Sequence, residues 1–126
     1  MAKQLKIIFF GDITGKLGRK AVGECLNEFK SQEFPPDFSI ANVENASHGF
    51  GLTEKNYNEL LGYNLDCLTS GNHIWDKKEI FQYIHKAERL IRPINYPSKT
   101  KGVGSKIFEV GEHKIAVINV LGRVLS

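Results

Sequence analysis

Over its first two thirds the chain alternates short apolar runs with segments of helical periodicity, and this alternation narrows the fold more than any other feature. Residues 5–10 (LKIIFF) form a continuous apolar run, as expected of a strand buried on both faces. Residues 18–30 follow with Val22, Leu26 and Phe29 at helical spacing, and Pro35 and Pro36 forbid continuation. Residues 37–43 (DFSIANV) read as a second strand. Thr53 reads as the N-cap of a helix from Glu54 to about Gly62, and residues 66–70 (DCLTS) as a third strand. Asp76 is placed to cap a further helix through about Ala87. The order βαβαβα implies parallel strands joined by right-handed crossovers. The last third differs. Residues 92–97 (RPINYP) are a proline-bounded loop, and residues 106–110 and 114–120 read as a β-hairpin turned at Gly111, Glu112 and His113.

A chain of 126 residues is enough for one domain with one core. Its 41% hydrophobic and 25% charged content is that of a soluble globular protein. The net charge of +3 is scattered, and the mildly basic stretch 99–106 lacks interleaved aromatics, so there is no DNA-binding signal. The N-terminal apolar run is too short for a signal-peptide core or a membrane span, so the expectation is a cytoplasmic protein with no membrane partner. Cys25 and Cys67 have no CxxC neighbour, which predicts reduced, buried thiols. Residues 121–126 (LGRVLS) close the chain directly after a strongly apolar strand. The expectation is a single, apparently truncated domain over 1–126.

Residues 11–20 (GDITGKLGRK) raise the question of a phosphate loop. The spacing rejects it. A Walker loop needs G-x-x-x-x-G-K-[ST], but Gly11 and Gly15 are one residue too close and Leu17 follows Lys16. The dinucleotide pattern fails as well, because Ile13 stands where its second glycine belongs. Asp12 remains, either as a turn residue with local hydrogen bonds or as a carboxylate delivered to a metal. The second strand ends at Asn42, Val43, Glu44 and Asn45, and the third at Gly71, Asn72 and His73. In a parallel sheet these ends share one edge, so Asp12, Glu44, Asn45, Asn72 and His73 should converge. Their oxygens and imidazole nitrogen suit a divalent metal or a phosphate. His48, in a glycine-flanked loop, either touches a substrate phosphate or shapes the loop. His85 and His113 read as exposed, and Tyr57 and Trp75 as packing residues.

GDITGKLGR, NVENASHGFGLTEK, SGNHIWDKKEI, RPINYP and VINVLGR occur in this order. Together they resemble the amino-terminal half of a YmdB-like phosphodiesterase of the calcineurin-like metallophosphoesterase superfamily. The resemblance implies an α/β fold, half of a four-layer αββα sandwich with a two-metal site on one edge. It implies that Asp12 and Asn45 bind one metal, that Glu44 bridges both, and that Asn72 binds the other. His73 would be the general acid that protonates the leaving oxygen. Arg19 and His48 become candidates for binding substrate phosphate, with a salt bridge as the alternative for Arg19. The implied cofactors are two divalent ions (iron, manganese, magnesium or zinc). The implied substrate is a small phosphodiester or 2′,3′-cyclic nucleotide. Two departures stand out. Val43 replaces a glycine of the family's NGEN motif and is expected to crowd the site, and the family's three further metal-binding histidines have no counterpart. Their absence leaves oxygen ligands and favours magnesium or manganese. It also leaves an unpaired edge and an uncovered face, open to a complementing second half or to self-association. The alternative is a non-catalytic fragment, at most a weak metal- or phosphate-binding or assembly module.

Overall fold

The computed structural model describes residues 4–122, so residues 123–126 of the terminal LGRVLS stretch lie outside the described residues. Strand β1 (Ile7–Phe10) leads to helix α1 (Gly15–Lys30). Strand β2 (Phe38–Asn42), helix α2 (Glu54–Gly62) and strand β3 (Cys67–Thr69) complete the alternating part. The strands run parallel in the order β1-β2-β3, with Ile7 opposite Phe38 and Ile40 opposite Cys67. Beyond β3 the chain adds one parallel bridge between Leu68 and Leu90. Strands β4 (Ser105–Val110) and β5 (His113–Ile118) form the antiparallel hairpin.

The two faces of the parallel sheet bury different clusters. On one, Val22 and Leu26 of α1 and Tyr57 and Leu60 of α2 pack with Ala41 and Leu68. On the other, Phe38 and Cys67 meet Val117, Phe108 and Ile115 of the hairpin, with the Phe38 and Phe108 rings 5.1 Å apart. Burial pushes the Cys67 thiol up to about 12, and both cysteines are free thiols. Thr53 caps α2, its Oγ1 accepting from the Asn56 N–H at 3.1 Å.

Several expectations change. Strand β1 is not buried on both faces: Ile8 and Phe10 join the helix-side core, but Phe9 is 59% exposed. The strand lies at the sheet edge, and the hairpin cluster is centred on Phe38 and Cys67. Helix α1 begins three residues earlier than its glycine-interrupted periodicity predicts. The long helix capped by Asp76 does not form. Instead a 3₁₀ turn (Asn72–Trp75), a short α3 (Ile80–Tyr83) and a second 3₁₀ turn (Ile84–Lys86) follow one another. The Asp76 carboxylate is engaged by His73, and a local side-chain bond of this kind competes with helix continuation. His113 opens β5 and is half-buried, not in the turn. Val43 is fully buried in the helix-side core. The crowding expected at Glu44 is therefore absorbed by the core. No helix among the described residues is long and apolar enough to cross a membrane.

Candidate metal centre

The parallel strands end along one edge, and the loops that leave them are fixed by backbone bonds. The Ile13 N–H donates to Asn42 O at 3.1 Å, and the Gly15 N–H to Asn45 O at 3.2 Å. The turn after β2 is closed by the Gly51 N–H on Glu44 O and the Ser47 N–H on Gly51 O, at 2.6 and 3.0 Å. Ser47, fully buried, accepts from the Thr53 N–H and donates to Asn56 Oδ1 at 2.6 Å. At the end of β3, the Ser70 N–H donates to Asn119 Oδ1 at 2.7 Å, which ties this strand end to the hairpin. Arg92 is buried and donates to the carbonyls of Pro93, Thr100, Lys101 and Gly102, so the proline-bounded loop is organised around one guanidinium.

These loops bring Asp12, Glu44, Asn45 and His73 together. Asn45 Nδ2 donates to both Asp12 oxygens, at 3.0 and 3.1 Å. The His73 N–H donates to Glu44 Oε2 at 3.1 Å, and Asn42 Nδ2 to Glu44 Oε1 at 3.4 Å. Gly71 is what permits this. A Cβ there would land within the Glu44 carboxylate, so the carboxylate lies in a space that only glycine leaves. Asn72 is exposed next to this cradle. The His73 ring is exposed, with Nδ1 2.7 Å from Asp76 Oδ2. That hydrogen bond, joined by the charges of Asp76, Glu44 and Asp12, holds the imidazole above its usual value.

The oxygens suit a hard divalent cation. Asp12 and Glu44 supply carboxylates, and a turn of the Asn45 amide would exchange its nitrogen for its oxygen toward Asp12. Among the described residues no three His, Cys, Asp or Glu side chains form a metal-binding group. The set depends on asparagine oxygens beside two carboxylates.

The other two candidates lie to the side. His48 is exposed with φ of 56°, a left-handed conformation uncommon outside glycine. Arg19 is only 7% exposed. Its Nη1 donates to Ala46 O at 2.6 Å and its Nε to Glu59 Oε1 at 3.1 Å. Arg19 thus ties α1 to α2 through a part-buried salt bridge and to the turn after Asn45 through the Ala46 carbonyl. Tyr57 packs against Tyr83 and Trp75 stacks on Phe81, so both are packing residues. The sequence reading missed Asp76 as the partner of His73, Asn42 as a partner of Glu44 and Asn119 as the anchor of β3. The spacings N-x-E and H-x-x-D around the strand ends were the available signals.

The chain matches the family described as YmdB-like protein over residues 8–126. It belongs to the YmdB-like family. It is 44% identical over 119 residues to a 2′,3′-cyclic-nucleotide 2′-phosphodiesterase of Bacillus subtilis (strain 168), covering 94% of this chain and 45% of that protein. A crystal structure of a novel phosphatase from Mycoplasma pneumoniae superposes with a TM-score of 0.87 at 36% identity, over all of this chain and 46% of the other. A hypothetical protein from Thermus thermophilus gives a TM-score of 0.83 at 37% identity, over 92% of this chain and 45% of that one. The YmdB-like chain thus spans about half the length of the relatives it matches.

Proposed function

We propose that this chain carries the amino-terminal part of a metal-dependent phosphodiesterase acting on phosphoric diesters of the 2′,3′-cyclic nucleotide type. The observation that carries the reading is the Glu44 carboxylate, seated over Gly71 and held by the His73 N–H, beside the Asp12–Asn45 pair. In this reading the fold is half of a four-layer αββα sandwich. Asp12 and Asn45 would hold one divalent ion, Asn72 another, and Glu44 both. Bound there, the ions would neutralise charge on the phosphoryl oxygens and acidify water.

The chain's own residues have separate tasks. Glu44 enters the reaction already oriented, because Gly71 leaves its place open and Asn42 and His73 bond its oxygens. Asp76 occupies Nδ1 of His73, which leaves Nε2 to carry a proton to the leaving oxygen. His48 contacts substrate phosphate from the rim, and Arg19 acts on the site through the Ala46 carbonyl that it holds. Ile7, Phe9, Ile107, Ile118 and Val120 are exposed, which favours a complementing half or a second copy as partner.

The test is turnover of 2′,3′-cyclic AMP with manganese. The chain is assayed alone and with a polypeptide spanning the rest of the relatives' length. Losing groups that merely orient metal ligands costs about 10–100-fold. Asp12→Asn or Glu44→Gln should therefore cost more than about 100-fold. A folded complex without metal-dependent turnover would overturn the reading. The smallness of the His, Cys, Asp and Glu set favours a second reading, a weak binding module. Calorimetric manganese binding that needs Asp12 but brings no turnover would select it.

A further inference from the structure

Beside the strand-end site lies an open groove of about 690 Å³, lined by Lys16, Lys20, Lys55 and His48 together with Glu59 and Glu79. None of Asp12, Glu44, Asn45, Asn72 or His73 lines it, and one backbone hydrogen bond links its wall to the site. Gly15, one residue before Lys16, donates to Asn45 O, and His48 lies three residues beyond Asn45. The charges in the groove are unevenly committed. Glu59 accepts from Arg19, Asn56 and Tyr63, and Glu79 from the Glu54 N–H. Lys16, Lys20 and Lys55 are exposed, and among the described residues none lies within ion-pair distance of a carboxylate. Lys16 and Lys20 are four residues apart on α1, hence neighbours on one helix face about one turn apart. Three ammonium groups around one concavity make a local positive field that an anion would relieve.

We infer that this groove binds a second phosphate of the substrate, beyond the one hydrolysed. A free cyclic mononucleotide has no second phosphate to place there. An oligonucleotide ending in a 2′,3′-cyclic phosphate can, because its next phosphates run outward from the reacting end. A 5′-phosphate on a cyclic mononucleotide has the same chemistry. The inference rests on the phosphodiesterase reading for which end of the substrate sits at Glu44. It does not need turnover.

The test measures metal-free binding to the 126-residue chain by amide NMR titration at low salt. The probes are uridine 2′,3′-cyclic phosphate, its 5′-phosphorylated form, and a uridine trinucleotide with the same cyclic end. The trinucleotide should bind at least about 10-fold tighter than the mononucleotide, with shifts at Lys16, Lys20 and Lys55. Each lysine on a phosphate contributes about 0.7 to the slope of log affinity against log salt. Lys20→Glu with Lys55→Glu should remove the advantage and leave mononucleotide affinity unchanged. Lys20→Gln with Lys55→Gln repeats the comparison with a milder change, and the amide spectrum reports folding in both. An equal gain from the 5′-phosphate alone would support the subsite and show that a single added phosphate fills it. Equal affinity for all three probes, or an advantage that survives both double variants, would overturn the inference. If the advantage persists but manganese brings no hydrolysis in the completed complex, the groove stands and the catalytic reading falls.

Discussion

Glu44 owes its position to an atom that is missing from its neighbour. Gly71→Ala would put a methyl group where the carboxylate lies. Because the backbone at Gly71 is extended, alanine can adopt its dihedrals, so the cost should fall on Glu44 and not on the fold. The expected result is an unchanged far-UV circular dichroism spectrum with manganese affinity reduced at least about 10-fold, measured by calorimetry. Wild-type affinity in Gly71→Ala would show that the cradle does not matter. Asp12, Glu44, Asn45, Asn72 and His73 were legible as candidates because parallel strands deliver their C-terminal ends to one edge. Asp76 was not legible as a partner of His73. A carboxylate ahead of an apolar periodic segment reads as a helix cap, and only three dimensions show its oxygen on Nδ1.

Helices α1 and α2 are joined by the pair of buried Arg19 and half-buried Glu59, and this contact makes a pH-dependent prediction. Burial alone would raise the Glu59 carboxyl. The hydrogen bonds from Tyr63, Arg19 and Asn56 and the Arg19 charge outweigh it and hold the group below its ordinary value. A carboxyl whose folded value is depressed stabilises the fold above the unfolded value of about 4.3 and loses that contribution as pH falls through the folded value. Glu59→Gln should therefore destabilise the chain at pH 7 by about 2 kcal/mol, since it leaves a buried guanidinium without its counter-charge. As pH falls through that depressed folded value the difference should shrink toward zero, and urea denaturation of both proteins across pH measures it. Thr53→Ala removes the cap of α2 and should cost about 1 kcal/mol in the same assay. Most elements were readable from periodicity, including that cap. The edge position of β1 was not, because an apolar run is the same whether its outer face is covered or bare. Nor was the broken run of turns from 72 to 86, where local hydrogen bonds override propensity.

For the molecule as a whole, the apolar residues on the outer faces of β1 and the hairpin are the main liability. Ile107 and Val120 are each 66% exposed, and Ile118 and Phe9 are close behind. Exposed apolar side chains in this number promote association. Ile107→Lys with Ile118→Lys should raise the concentration at which light scattering begins several-fold, without loss of the core clusters, to which neither residue belongs. The central claim concerns the edge where the parallel strands end. Manganese is paramagnetic and broadens the amide resonances nearest to it, so a titration followed by NMR locates it residue by residue. The account predicts that the signals of Asp12, Glu44, Asn45, Asn72 and His73 vanish first, at substoichiometric metal, and that Glu44→Gln prevents it. Broadening spread evenly over the surface, or centred on other carboxylates, would contradict a metal site at these strand ends.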